Sequence, residues 1–172
     1  MSCLLAVLLA APAAPLEFHL TFDAKARARP FTGRVYVMLF KAGTNELQRG
    51  PSWFGTLPFF AKDVKGWKPG ETLVIDRTAL GYPVPLDRIT RGAWAVQAVM
   101  DLAPNALSFS RAAGNVYTVV PKASLDPAAT GPVALRLDRR LQGRIDPSDQ
   151  GLRTRMGEMD NLGRIGSPHP CV

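Results

Sequence analysis

The sequence predicts an all-β protein: an immunoglobulin-like β-sandwich of about seven short antiparallel strands, followed by a disordered C-terminal tail. Three observations predict it. Short runs of residues alternate between apolar and polar with a period of 2, as strands require when successive side chains point to opposite faces. The 172 residues include 15 Gly and 15 Pro, which suits many strands joined by turns. No run shows the 3.6-residue period of an amphipathic helix.

The stretch Thr90 to Asp101 anchors this reading. Trp94, Val96, Ala98 and Met100 fall on one face of a strand; Ala93, Ala95, Gln97 and Val99 fall on the other. One face is large and apolar and the other small and mixed. That predicts a central strand whose outer face is only lightly covered.

The remaining elements follow in order. Leu16 to Asp23 alternates cleanly, with Leu16, Phe18, Leu20 and Phe22 inward and Glu17, His19 and Thr21 outward. A basic connection, Lys25 to Pro30, leads to a strand over Gly33 to Phe40. There Val35, Val37 and Leu39 share one face and Tyr36, Met38 and Phe40 the other, so both faces are expected to be covered. Lys41 to Gly50 is turn-like. Pro51 to Trp67 is rich in aromatics but broken by Pro51, Gly55 and Pro58, leaving room for a short strand over Phe59 to Val64. Pro69-Gly70 occupies the centre of a type II turn, with proline presetting the first dihedral and glycine supplying positive φ. Strands are expected at Leu73 to Ile75, Val116 to Val120 and Val133 to Leu137, with Leu80 to Pro85 an extended connection and Leu102 to Asn115 a small, polar one.

The domain organisation read from these elements is a leader over residues 1–13, a sandwich over 14–137 and a tail over 138–172. Leu4 to Leu9 is an apolar run followed by a small-x-small cleavage pattern at Ala11-Pro12-Ala13, although the usual basic start is missing. The run is too short to span a bilayer, which takes about 20 apolar residues. A secreted or periplasmic protein without stable membrane insertion is therefore expected. Once the leader is removed, Cys171 is the one cysteine left, which offers neither a disulfide nor a metal site. The tail holds six Arg, no Lys and five Gly with little apolar periodicity. So abrupt a change of character also fits a gene whose reading frame was lost near Asp138.

The formal net charge is +7. Residues 1–137 hold 15 basic against 9 acidic side chains, and residues 138–172 hold 6 against 5, so the charge is spread and forms no basic arm. That favours a solvated basic surface over a nucleic-acid partner. Acyl transfer needs a nucleophile, a base and an orienting acid. The histidines are His19, on the polar face of the first strand, and His169, in the tail. Gly50-Pro51-Ser52-Trp53-Phe54 begins like a nucleophile elbow but lacks the second glycine. Asp23, Asp63, Asp76, Asp87, Asp101 and Asp126 sit near strand ends without calcium-loop spacing, which reads as turn chemistry. No phosphate loop or zinc spacing occurs, and no cofactor or metal is expected. The aromatics are the suggestive feature. Trp53, Phe54 and Trp67 either fill the core or form a flat platform for a ligand.

Phe31-Thr32-Gly33-Arg34-Val35-Tyr36-Val37, Pro51-Ser52-Trp53-Phe54, Pro58 to Asp63, Trp67 to Thr72 and Ala95 to Asp101 carry a resemblance. Over Leu16 to Leu137 the chain resembles the N-terminal region of large secreted bacterial proteins of esterase type. In those, a β-sandwich precedes an α/β-hydrolase domain of the enterochelin-esterase or feruloyl-esterase kind. The resemblance implies a non-catalytic accessory module that packs on, or serves, a hydrolase domain absent from this chain. No catalytic residue carries over. The alternative is a stand-alone module that binds carbohydrate or a cell-surface partner through Trp53, Phe54 and Trp67.

Overall fold

The computed structural model describes residues 14–51 and 57–142. Nine strands occur among them: β1 (Glu17–Phe22), β2 (Phe31–Lys41), β3 (Phe59–Trp67), β4 (Leu73–Ile75), β5 (Leu80–Tyr82), β6 (Gly92–Met100), β7 (Val116–Leu125), β8 (Pro132–Leu137) and β9 (Arg139–Arg140). Two short 3-10 turns, Leu86–Arg88 and Phe109–Arg111, lie between strands. The strands form a three-stranded sheet of order β4-β1-β8 and a six-stranded sheet of order β5-β3-β2-β6-β7-β9.

The two sheets share one apolar core, and the alternation along β1 explains it. Phe18, Leu20 and Phe22 reach inward to meet Val35, Val37 and Leu39 of β2, Phe60 of β3, and Val96, Ala98 and Met100 of β6. Ile75 of β4 and Leu135 and Leu137 of β8 complete the smaller sheet's contribution. This is the face-to-face arrangement in which inner positions of both sheets interdigitate.

Several expectations need correction. The strand count is nine among the described residues, because β5 and β9 are short strands that carry no alternating pattern. Leu80 to Tyr82 was expected as a bare connection, yet it pairs antiparallel with Phe59 to Ala61. Not every pair is antiparallel: β1 runs parallel to β8 over all six residues, from Glu17 beside Pro132 to Phe22 beside Leu137. A pairing between residues so far apart in the chain leaves no local turn signal. Strand pairing also continues past residue 137. Arg139 and Arg140 pair with Tyr117 and Val116, and the Leu141 N–H donates to the Asn115 carbonyl at 2.8 Å. The compact unit ends at Gln142. The leader and most of the tail lie outside the described residues, as do Cys3, Cys171 and His169.

β6 occupies the expected central place, between β2 and β7. Its outer face is not lightly covered, however. Ala95, Gln97 and Val99 are fully buried. Two segments, residues 44–51 and 101–111, fold over this face, and what they build there is the candidate site.

Candidate functional site

The outer face of the six-stranded sheet starts from out-facing residues of β2 and β6. Met38 and Val99 form a second, smaller apolar cluster with Phe109, flanked by Tyr36, Phe40, Leu47, Phe59 and Tyr117. Gln97 fixes the first covering segment. Its buried side-chain amide accepts from the Gln48 backbone N–H at 3.0 Å and donates to the Glu46 carbonyl at 2.7 Å. A polar group can lie fully buried here because both its ends are hydrogen-bonded. The second segment is tied at both ends. Asn115 Oδ1 accepts from the Leu102 N–H at 2.9 Å, and the Phe109 N–H donates to the Arg49 carbonyl at 2.7 Å. The Phe109–Arg111 turn then turns its first ring down onto the sheet.

Gly50 makes room for that ring. Its φ is +115°, and a Cβ placed there would lie 2.8 Å from a Phe109 ring carbon. Gly50→Ala is therefore expected to cost about 1–3 kcal/mol, since strain at the backbone and a displaced ring act together. Urea unfolding measures this. A variant as stable as the wild type would show that Phe109 does not sit against Gly50.

Between the two segments and the sheet lies a groove of about 310 Å³. Its floor and walls include Arg34, Tyr36, Arg49, Phe59, Asp101 and Phe109. A shallower trough shares Arg34, Tyr36 and Asp101 and extends the groove past Asp63. The rings form a row. Phe109 lies 4.9 Å from Tyr36, Tyr36 lies 6.5 Å from Phe59, and Phe59 lies 5.8 Å from Tyr82, all tilted. Tyr82 and Leu80 of β5 and Leu107 of the covering segment are exposed apolar groups at this face, with Leu80 and Leu107 on the groove itself.

The charged groups are ordered. Arg34 and Asp63 are register partners across β2 and β3, and two hydrogen bonds of 2.7 Å join the guanidinium to both carboxylate oxygens. The pair holds the Asp63 carboxyl below its ordinary range and the Arg34 guanidinium above its own. Such a planar fork restricts rotation of both side chains. Asp101 is different: burial pushes its carboxyl up, and the Ala103 backbone N–H at 3.1 Å offsets this in part.

The sign of the Asp101 effect follows. Between the unfolded pKa of about 3.9 and the raised folded value, the native state holds more proton than the unfolded one, so stability falls as pH rises through that window. Asp23, Asp63 and Asp76, held low by hydrogen bonds, act the other way and lose their contribution as pH falls. Asp101→Asn is expected to raise the urea midpoint at neutral pH, with the gain shrinking toward pH 4 and below. A gain independent of pH would remove the carboxylate from the explanation.

Of the sequence-predicted site residues, the structure describes Trp67, which does not line the groove. Trp67 is 4% exposed. Its ring meets Phe22 edge-on at 4.7 Å, and its indole N–H donates to the Glu71 carbonyl at 2.9 Å. The core takes this ring because β3 continues through Gly66, which brings Trp67 beside Phe31. It offers no face to a ligand. Trp53 and Phe54 lie outside the described residues. His19 keeps its half-exposed place on β1, with Nε2 3.0 Å from Glu17 Oε2. Four of the six aspartates do turn chemistry, Asp23, Asp76, Asp101 and Asp126 each accepting from the backbone N–H two residues on, whereas Asp63 pairs across strands with Arg34. Among the described residues, no cluster of three or more His, Cys, Asp or Glu could hold a metal ion. Nor is any helix among them long and apolar enough to cross a membrane.

Tyr36, Phe59, Tyr82 and Phe109 escaped sequence reasoning as a group. The alternation along β2 does put Tyr36 on the outer face, but only the β2–β3–β5 register brings Phe59 and Tyr82 beside it. Compared with protein-family models, curated proteins and solved structures, the chain gives no match.

Proposed function

We propose that this chain is a non-catalytic, exported accessory module on an immunoglobulin-like sandwich, and that the groove on its six-stranded sheet is its contact surface. The observation that carries this reading is the groove itself: the part-exposed rings of Tyr36 and Phe59 on β2 and β3, backed by Phe109, with an ordered charged rim. Sites on a rigid scaffold of strands hold their geometry better than sites on free loops.

Several features support the parts of this reading. β1 beside β4, and β2-β6-β7 in that order, match the B–E and C–F–G neighbours of the immunoglobulin arrangement. The parallel β8 is a departure from it. The partner in the esterase-type reading is an α/β-hydrolase domain outside this chain. Against nucleic acid stand the ion pairs Arg34–Asp63, Arg91–Asp126 and Arg136–Asp23, which neutralise part of the surface charge. The hydrogen-bond partner of His19 is Glu17 rather than a hydroxyl, so the pair lacks the nucleophile that acyl transfer requires.

The test is ester turnover by the purified chain. p-Nitrophenyl acetate and methyl ferulate are expected to be hydrolysed no faster than in buffer. Saturable turnover by the chain would overturn the non-catalytic reading. Export has its own check: the protein recovered outside the cytoplasm should begin at Ala14, and an intact Met1 on a cytoplasmic protein would contradict it.

A further inference from the structure

We propose that the groove binds a neutral carbohydrate, with a pyranose ring laid against Tyr36 and Phe59 and its hydroxyls held by Asp101 and Arg49. This rests on the reading of the groove as the module's contact surface and gives that surface a ligand class.

Shape comes first. The cavity of about 310 Å³ falls at the small end of the about 300–1,000 Å³ common for small-molecule sites, and leaves room for a disaccharide. Its floor is a row of rings that touch one another at tilted angles instead of stacking flat. Tyr36 and Phe59 are part-exposed, while Phe109 is buried behind them. Sugar rings carry C–H groups on their faces, and such groups gain by lying on an aromatic face while the hydroxyls stay polar at the edge.

Charge then narrows the ligand. Two guanidinium groups, Arg34 and Arg49, and two carboxylates, Asp63 and Asp101, line the groove and its trough. Their formal charges balance. Asp63 takes the Nε and Nη2 donors of Arg34 and neutralises its charge, which weakens its pull on an anion. A phosphate or a polyanion would meet Asp101 in a groove whose own charges cancel. A wholly apolar ligand would strip water from Asp101 and Arg49 and return no hydrogen bonds. A polyhydroxyl ligand gives both: its O–H groups donate to the carboxylate and its oxygens accept from the guanidinium.

Backbone pairing leaves no strand-addition site on β2 or β6, the strands beneath the groove; the edge of this sheet on the groove side is the three-residue β5. A peptide that adds a strand needs a free sheet edge. β2 is paired on both sides by β3 and β6, and β6 on both sides by β2 and β7. Recognition on this face has to come from side chains.

The experiment titrates the full chain with xylobiose, cellobiose, maltose and chitobiose, by calorimetry and by NMR of the aromatic rings. At least one is expected to bind saturably at about millimolar affinity or tighter, shifting the Tyr36, Phe59 and Phe109 ring signals. Tyr36→Ala and the near-isosteric Asp101→Asn are each expected to weaken that binding about tenfold or more. Asp101→Asn keeps the fold, so the test stands even if Tyr36→Ala unfolds. Two results overturn the proposal: no saturable binding of any of the four by folded protein, or binding that Asp101→Asn leaves unchanged. An aromatic-rich peptide that binds where the sugars do not also overturns it. The accessory reading fails separately, on ester turnover: loss of sugar binding without turnover removes the ligand class alone.

Discussion

Replacing Phe18 with alanine is expected to lower the unfolding free energy by about 3–5 kcal/mol, the usual cost of emptying a buried phenylalanine site. Phe18 is fully buried. It lies in the middle of the small sheet, beside Ile75 of β4 and Val133 of β8. A ring removed there leaves a cavity that neither neighbour can fill without moving a strand. Total stability for a domain of this kind is about 5–15 kcal/mol, so the variant would lose a large fraction of it. Phe18→Leu, which keeps most of the volume, should cost much less. Equilibrium unfolding in urea measures both. A loss under about 1 kcal/mol for the alanine variant would mean that the two sheets do not meet at this residue.

Gln97→Ala is the second large effect, and it links the fold to the groove. The substitution takes the side-chain acceptor from the Gln48 N–H and one of two donors from the Glu46 carbonyl, which keeps Gln48 Nε2 at 3.0 Å. A polar group left unpaired costs about 1–3 kcal/mol when buried; the Gln48 N–H is part-buried, so the lower end of that range is expected, beside the loss of the buried Gln97 side chain itself. The damage should also be local. Residues 46–50 would lose their tie to β6, and with them go Arg49 and its carbonyl, which holds the Phe109 N–H. Amide exchange over 46–50 and at Phe109 is expected to speed up markedly in the variant, while the β1 amides stay protected. Uniform acceleration through both sheets would mean that Gln97 supports the whole fold and not this segment.

Much of the fold is legible because period-2 alternation is a local signal. Leu16, Phe18, Leu20 and Phe22 are buried as the pattern requires, and the inward and outward sets of β2 and β6 separate as read. The Pro69-Gly70 turn has its glycine at φ +77°, with the Glu71 N–H closing on the Lys68 carbonyl at 3.1 Å. The rest depends on partners distant in sequence. The parallel β1–β8 pair joins residues more than a hundred positions apart, and no turn residue announces it. The covering of the outer face depends on Phe109, a lone aromatic in a small, polar stretch, and on its bond to the Arg49 backbone. Backbone acceptors look alike in every sequence. Trp67 shows the converse limit: aromatic content suggests either a core or a platform, and the register of β3 with Phe31 decides for the core. The groove was thus hidden while its residues were in view. Tyr36 and Asp101 were already placed, one on the outer face of β2 and the other closing β6, but nothing local put them beside Phe59 and Phe109.

The most direct test of the groove needs no ligand. In an aromatic NOESY spectrum of the isolated protein, Phe109 and Tyr36, 4.9 Å apart, should show strong cross-peaks, as should Phe22 and Trp67 in the core at 4.7 Å. Phe59 and Tyr82, at 5.8 Å, should show weaker ones. The Phe22–Trp67 peaks establish that the two sheets are packed. If they appear and the Phe109–Tyr36 peaks do not, the covering segment does not close on the sheet, and the site described here is not formed.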